Sequence, residues 1–413
     1  MAGGRRQKTA RSQLRERALD AAMKVAPPKI ADVCVIGGGA SGLACAITAA
    51  EEGASACVLE EALECGRTIL ATGNGRCNFT AADLAPSFYN HPDFVESAVG
   101  QNMADEVFAF FLASGMAWTA DDTRCYPLSR QAASVRDVLL ARAQRAGVLL
   151  LPGRGAKKLE SQGKGWKVSF SGEAGEGALL ASCAILAGGG HLAETLVPQL
   201  PRIAPEPILC PLALKGLPLE ALDGRRAHGR ATLLRGAEKI AEEAGEFLFR
   251  PYGLSGIAVF NLSRLAEPGD TLALDLAPDY AASQLSRLIR LAHTAEGVSD
   301  PRLAELLWKR EGGDPDRIAQ ALKALSFTVE GRTDTGRAQV TRGGLAISSF
   351  APTLEADPAL AGSRGLFACG EALDIDGPCG GYNLGWAWTS GMKAGTEAAK
   401  AAREIRTRKE RSL

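Results

Sequence analysis

The sequence predicts an α/β fold: a Rossmann-like nucleotide-binding domain split by an inserted domain. Three observations carry this. The apolar run Val33-Cys34-Val35-Ile36 stops at glycines spaced G-x-G-x-x-G, and a helical pattern follows at once. Strand-to-glycine turns recur at residues 185–190 and 365–371. Between them the chain changes character. Pro201, Pro205, Pro207 and Pro211 mark a junction, short strand-like runs occupy 208–278, and a Leu/Ala/Arg-rich helical stretch occupies 280–325.

In chain order, residues 1–30 form a basic extension. Arg5, Arg6, Lys8, Arg11, Arg15, Arg17, Lys24 and Lys29 face only Glu16 and Asp20. No hydrophobic h-region follows Arg5-Arg6, so a secretory signal is not predicted; a solvated, partly helical arm is. Residues 31–60 read as a β-α-β unit. Leu43, Ala46, Ile47 and Ala50 recur at helical spacing, Gly53 ends the helix, and Cys57-Val58-Leu59-Glu60 is an apolar strand closing on a carboxylate. Gly37 permits the tight turn, Gly39 admits close approach of a pyrophosphate, and Gly42 lets helix and strand pack closely. The helix start at Ala40 and Ser41 offers free N–H groups to an anion. Glu60 stands where an acid would accept ribose hydroxyls. The competing reading is a purely structural turn.

Residues 61–82 are polar and glycine-rich, too long for a mere connection. Helices are predicted at 107–112 and 135–146, strands at 148–151, 166–170 and 179–187. Strand character returns near 338–341, and a long helix starts at Asn383. The expected organisation is a first part of the nucleotide-binding domain at 31–201 and an insert at 202–335, β-rich over 202–278 and helical over 279–328. The second part of the domain follows at 336–402, then a charged tail at 403–413.

Composition narrows the function. Lys plus Arg number 47 and so do Asp plus Glu, so no global field favours nucleic acid or a membrane surface. No apolar run approaches the roughly 20 residues that span a bilayer. Ten scattered cysteines without C-x-x-C read as free thiols in a reducing cytoplasm. His91, His191, His228 and His293 lack ligand spacing, so no metal is expected; His191, just after a glycine turn, could face a cofactor or be structural. Cys77 is open between a redox thiol and a structural one. No arrangement for hydrolysis stands out.

Four motifs then show a resemblance. They are the glycine turn with Glu60; Gly66-Arg67-Thr68-Ile69-Leu70-Ala71-Thr72-Gly73-Asn74-Gly75-Arg76-Cys77-Asn78-Phe79-Thr80; Gly253-Leu254-Ser255-Gly256; and Gly370-Glu371-Ala372-Leu373-Asp374-Ile375-Asp376-Gly377 running into Gly380-Gly381-Tyr382-Asn383-Leu384. The chain resembles the bacterial flavoproteins called HI0933-like, grouped with aminoacetone oxidase and a bile-acid-dehydroxylation flavoenzyme. The resemblance implies FAD and an insert with β-barrel and helical parts. On this reading Arg67 approaches the phosphates, and Thr72, Gly73 and Gly75 offer backbone N–H groups to the ring system. Arg76, Cys77 and Asn78 lie beside the isoalloxazine. Gly188, Gly370 and Glu371 reach the ribityl chain or phosphates. Gly381, Tyr382, Asn383 and Leu384 open a helix whose N–H groups face the reduced ring. Arg67 and Arg76 could instead be surface ion-pair residues, and the last segment an ordinary helix start. Residues 121–129 resemble a segment lining the approach to the ring, with Tyr126 and Ser129 as candidate substrate contacts.

The chain departs from its relatives at Thr68, Ala81, Gly188 and Arg250-Pro251, and it lacks most of a Ser/Pro/Gly-rich loop after Gly190. The expectation is an FAD-dependent oxidoreductase exchanging hydride at flavin N5 with a small organic substrate lodged between FAD domain and insert. Only one strong dinucleotide turn is visible, so NADH or NADPH would act as a transient donor. A reductase of conjugated carbonyls stands against a peroxide-producing amine oxidase and a non-catalytic flavin-binding module that would use the basic arm. Substrate and oligomeric state stay open.

Overall fold

The computed structural model describes residues 9–338 and 340–410. Arg5, Arg6 and Lys8 of the basic arm, and the side chains of Arg11 and His191, lie outside the description. The chain divides into two compact units. One runs to Pro205 and resumes at Arg342; the other spans Glu206–Thr341.

The first unit opens with α1 (Ala10–Lys24), whose N-cap Thr9 accepts the Ser12 N–H. Its far end is fastened. Arg154, 3% exposed, donates to Ala22 O at 3.1 Å and Val25 O at 2.9 Å. Next come β1 (Ile30–Ile36), α2 (Ala40–Glu51) and β2 (Ala56–Glu60). The two strands pair in parallel and are buried along most of their length, which is why they read as continuous apolar runs. The 61–82 segment carries α3 (Arg67–Ala71) and ends in β3 (Thr80–Ala81). Then follow α4 (Pro92–Val99), α5 (Met103–Ala113), the hairpin β4 (Trp118–Asp121) with β5 (Arg124–Pro127), and α6 (Ala132–Arg145). β6 (Leu149–Pro152), β7 (Gly155–Gln162), β8 (Gly165–Ser171) and β9 (Gly177–Leu186) complete this stretch, before α7 (Gly190–Leu196) and β10 (Arg202–Ile208).

The second unit is a closed antiparallel barrel. It uses β11 (Leu212–Lys215), β12 (Arg226–Arg235), β13 (Glu238–Arg250), β14 (Gly253–Ser255), β15 (Thr271–Asp275) and β16 (Leu325–Arg332) in the order β11-β14-β13-β12-β15-β16. Closure removes the free edges that a short sheet would expose. Leu212, Leu233, Phe247, Phe249, Leu272 and Phe327 fill its core. α8 (Ile257–Ser263) follows the third motif, and α9 (Ala282–Ala292), α10 (Pro301–Arg310) and α11 (Pro315–Lys323) sit between β15 and β16. Residues 325–328 were expected in the helical run. They are strand, because Leu325, Phe327 and Val329 are buried at every second position.

The chain returns through β17 (Val340–Leu345), which pairs with β10, then α12 (Pro358–Ala361), β18 (Leu366–Ala368) and α13 (Tyr382–Glu410). β18 joins β9 in parallel, giving a seven-stranded sheet along β6-β2-β1-β9-β8-β7. α13 lies against α2 with backbones nearly touching: a Cβ at Gly391 would stand 2.4 Å from Ser41 O, and one at Gly395 2.4 Å from Cys45 O. Among the described residues no helix is long and apolar enough to cross a membrane.

Candidate cofactor site

Four parallel strands end side by side. Leu59, Ile36, Leu186 and Ala368 pair in one row across β2, β1, β9 and β18. Just beyond that row come Glu60, Gly37, Ala187-Gly188 and Cys369-Gly370-Glu371. The chain leaves β1 toward β2 on one side, while β9 lies on the other. The glycine turn therefore sits where strand order reverses, the crevice in which open α/β sheets take ligands.

Local bonds hold the turn. Gly37 N–H donates to Leu59 O at 2.8 Å and Gly38 N–H to Glu60 Oε2 at 2.7 Å; Glu60 Oε1 accepts Ala62 N–H at 2.7 Å. Each carboxylate oxygen keeps a further lone pair for a sugar hydroxyl. Gly39 is the N-cap of α2 and supplies no side-chain cap, and the first turn carries no acid. The N–H groups at Ala40, Ser41 and Gly42 thus stand at an uncompensated positive dipole end, which suits a phosphate. Gly42 cannot be larger: a Cβ there would lie 1.9 Å from Gly37 O.

The second motif folds beside this turn, where Gly66 N–H donates to Gly38 O at 2.7 Å. Arg67 begins α3 and is exposed, as is Arg76. Gly73, Asn74, Gly75 and Cys77 all take positive φ, at 54°, 53°, 83° and 54°. A left-handed backbone at non-glycine Asn74 and Cys77 costs on the order of 1–3 kcal/mol each, a strain that typically marks functional loops. Thr72 Oγ1 donates to Ile69 O at 2.6 Å, and Cys77 N–H to Thr72 O at 3.1 Å. Burial pushes the Cys77 thiol up to about 11 and the Cys65 thiol up to about 12, so both are protonated at neutral pH. Asn78 Oδ1 and Thr80 Oγ1 are buried and have no hydrogen-bond partner within the protein. Such orphaned atoms are costly unless a ligand meets them.

The last motif closes the other side. Gly370 N–H donates to Ser390 Oγ at 2.9 Å, and Trp386 Nε1 donates to Gly370 O at 3.1 Å. Trp388 Nε1 reaches Phe79 O at 2.8 Å, and a Cβ at Gly381 would stand 2.5 Å from the Thr80 carbonyl. The orphaned atoms of Asn78 and Thr80 therefore stand next to the start of α13. Glu371 has an exposed side chain but is densely ringed by protein. Loss of hydration among those neighbours pushes its carboxyl up to about 7.

Two residues whose N–H groups open α13 use their side chains to hold the turn before it. Asn383 Nδ2 donates to Gly377 O and Pro378 O, at 2.8 and 3.1 Å, and its Oδ1 accepts Gly377 N–H at 2.8 Å. Tyr382 donates to Asp83 Oδ1 at 2.8 Å and packs at a tilt against Phe88, ring centres 4.4 Å apart. Their backbones, with Gly381 and Leu384, still open the helix. The motif's aspartates support it: Asp374 accepts Gly343 N–H at 3.0 Å and meets His91 at 3.1 Å, while buried Asp376 takes a two-pronged grip from Arg342 at 2.8 and 3.2 Å. Sequence reading missed Arg342, Ser390, Trp388 and also Asn90, whose Nδ2 donates to Asp374 O at 3.1 Å and whose Oδ1 accepts Asp376 N–H at 2.9 Å. The pair of aspartates within the motif was the available signal. No His, Cys, Asp or Glu cluster among the described residues could hold a metal ion.

The profile of the family described as HI0933-like protein Rossmann domain matches residues 31–397. The chain belongs to the HI0933-like family. It is 31% identical to the 3-dehydro-bile acid delta(4,6)-reductase of Clostridium scindens, covering 89% of this chain and 98% of that one. It is 27% and 26% identical to the ribosomal RNA dihydrouridine synthases of Haemophilus influenzae and Escherichia coli, covering 86% and 87% of this chain and 95% and 96% of theirs. The family makes this chain a flavin-dependent oxidoreductase and implies FAD. The residues present fit that group, with an uncapped helix start that suits a phosphate, a carboxylate that suits a ribose, and two orphaned polar atoms in the adjoining glycine-rich segment.

Proposed function

We propose that this enzyme reduces a carbon–carbon double bond conjugated to a carbonyl, with NADH or NADPH as a transient donor. The observation that supports this most is the end-to-end match to a bile-acid delta(4,6)-reductase. FAD, when bound, would supply hydride exchange at N5. The chain's own residues would do the holding. Glu60 would bind the ribose, the N–H groups at Gly39–Gly42 and Arg67 the phosphates, and Gly188, Gly370 and Glu371 the ribityl chain. The backbone of Thr72, Gly73 and Gly75 would flank the ring with Arg76, Cys77, Asn78 and Thr80. The N–H groups opening α13 at Gly381, Tyr382, Asn383 and Leu384 would favour negative charge developing on the ring. The ten cysteines are free, which suits a reducing compartment, and we place the enzyme in the cytoplasm.

A second reading rests on the two dihydrouridine synthases. A uracil also carries a double bond conjugated to a carbonyl, so one chemistry serves both. Anaerobic mixing of the yellow holoenzyme with NADPH or NADH should bleach it, and a 3-oxo-4,6-diene steroid should restore the colour. Restoration by ribosomal RNA alone favours the second reading. Peroxide release from an aminoketone without nicotinamide overturns both.

A further inference from the structure

The small sheet β3-β5-β4 borders the ring loop. Thr80 and Ala81 pair with Cys125 and Arg124, and Phe79 N–H donates to Cys125 O at 3.0 Å. Arg124 in turn lies directly opposite Asp121. One guanidinium grips this carboxylate, and those of Arg76 and Arg124 lie near enough to feel its charge. Arg130 takes it with two hydrogen bonds, at 2.5 and 2.6 Å, and lies 5.2 Å from the Tyr126 ring centre. That grip, with the charges of Arg76 and Arg124 nearby, holds the Asp121 carboxyl below the usual range.

Asp121 is thus already claimed by Arg130. Among the described residues, the Arg76 and Arg124 guanidiniums have no hydrogen bond or ion pair of their own, although most of the chain's arginines do. The scaffold is also rigidly shaped: Asp122 and Arg130 hold left-handed φ of 57° and 52°, like Asn74 and Cys77 in the adjoining loop. Two partnerless guanidiniums beside a redox loop suit a small anion. A polyanion would meet Asp121 and Asp122 as well, on a chain of zero net charge.

We infer that Arg76 and Arg124 bind an acidic group on the substrate, so that the enzyme prefers a carboxylate-bearing polycyclic enone over its neutral ester. This rests on the reductase reading above, and its test separates the two. Holoenzyme is given a 3-oxo-4,6-diene steroid with a free side-chain carboxylate, or the methyl ester of the same compound. The acid should have a KM roughly tenfold lower, as expected for a charge-assisted contact. Arg124→Gln should raise the KM for the acid about tenfold and leave the ester and the melting temperature unchanged, while Arg124→Lys recovers most of the preference. Equal handling of acid and ester, or equal loss on both in Arg124→Gln, overturns the inference and leaves the reductase reading intact. A titration of the oxidised holoenzyme, followed by its flavin absorption, decides the matter without turnover: the acid should bind more tightly than the ester, and Arg124→Gln should abolish the difference. If neither compound is reduced, the reductase reading fails and this titration alone judges the arginines. A ribosomal RNA fragment that binds more tightly than the acid, with the same arginine dependence, overturns the small-molecule assignment.

Discussion

Substituting Gly42→Ala tests the cradle most directly. The new methyl group would stand 1.9 Å from Gly37 O and 3.3 Å from the Ala187 side chain. A carbon–oxygen contact needs about 3.3 Å, so something must move by more than 1 Å. Helix α2 has little room to retreat, since α13 meets it at backbone distance at Gly391 and Gly395. The turn must yield instead, carrying with it the bonds of Gly37 to Leu59 and of Gly38 to Glu60. Overpacking of this kind costs typically 1–3 kcal/mol of stability. The larger effect falls on the cofactor. A shift of about 1 Å breaks hydrogen bonds from the turn to a charged phosphate, worth about 1.5–3 kcal/mol each. Losing two weakens FAD binding by roughly 100-fold to 10,000-fold. The assay is the flavin-to-protein absorbance ratio after purification, followed by titration of the apoprotein with FAD. Gly297→Ala, with nothing within 4 Å of its Cβ, is the control. A Gly42→Ala protein that purifies yellow with wild-type affinity refutes the reasoning.

Other outcomes follow from the same geometry. Glu371 has its folded-state value raised to about 7 from an ordinary 4.5, so it favours the fold fully below about 4.5 and loses that contribution as pH rises through 7. Apoprotein melting measured across that window should decline less steeply in Glu371→Gln. Cys77 and Cys65, at about 11 and 12, should resist alkylation of the native protein at pH 8, with rates rising about tenfold per pH unit where thiolate fraction limits them; rapid labelling at pH 7 contradicts the burial. Asp376→Ala leaves Arg342 without its buried partner and should cost about 3–5 kcal/mol by denaturant unfolding, with FAD retention falling alongside. Arg154→Met should release the end of α1, exposing residues 10–24 to limited proteolysis while the rest of the chain stays intact.

Much of the redox-cofactor unit was legible because its signals are local. β1-α2-β2 announces itself through apolar strands covered on both faces and a turn only glycines can make. The strand ending at Ala368 was readable for the same reason. Of the long barrel strand β13 only the run Phe247-Leu248-Phe249 was, because the rest of Glu238–Arg250 is acidic and glycine-bearing with only some positions partly covered. The hairpin β4-β5 is too short to show a period. In the site itself, motif membership pointed to Tyr382 and Asn383, but whether a side chain faces a ligand or locks its own turn depends on neighbours such as Asp83 and Gly377. Arg154 and Arg342 gave no pattern at all, since each acquires its partners only through contacts distant in sequence.

The pairing of β18 with β9 has a consequence for biosynthesis. A ribosome releases β9 long before β18, with the whole six-stranded barrel emerging in between. Until the last stretch of chain appears, the edge of β9 at Ala184–Leu186, beyond its pairing with β8, has no neighbour and the coenzyme has only half its walls. Nascent protein should therefore capture its coenzyme only once β18 and the start of α13 have emerged, and a chain truncated before residue 380 should be a colourless, aggregation-prone fragment.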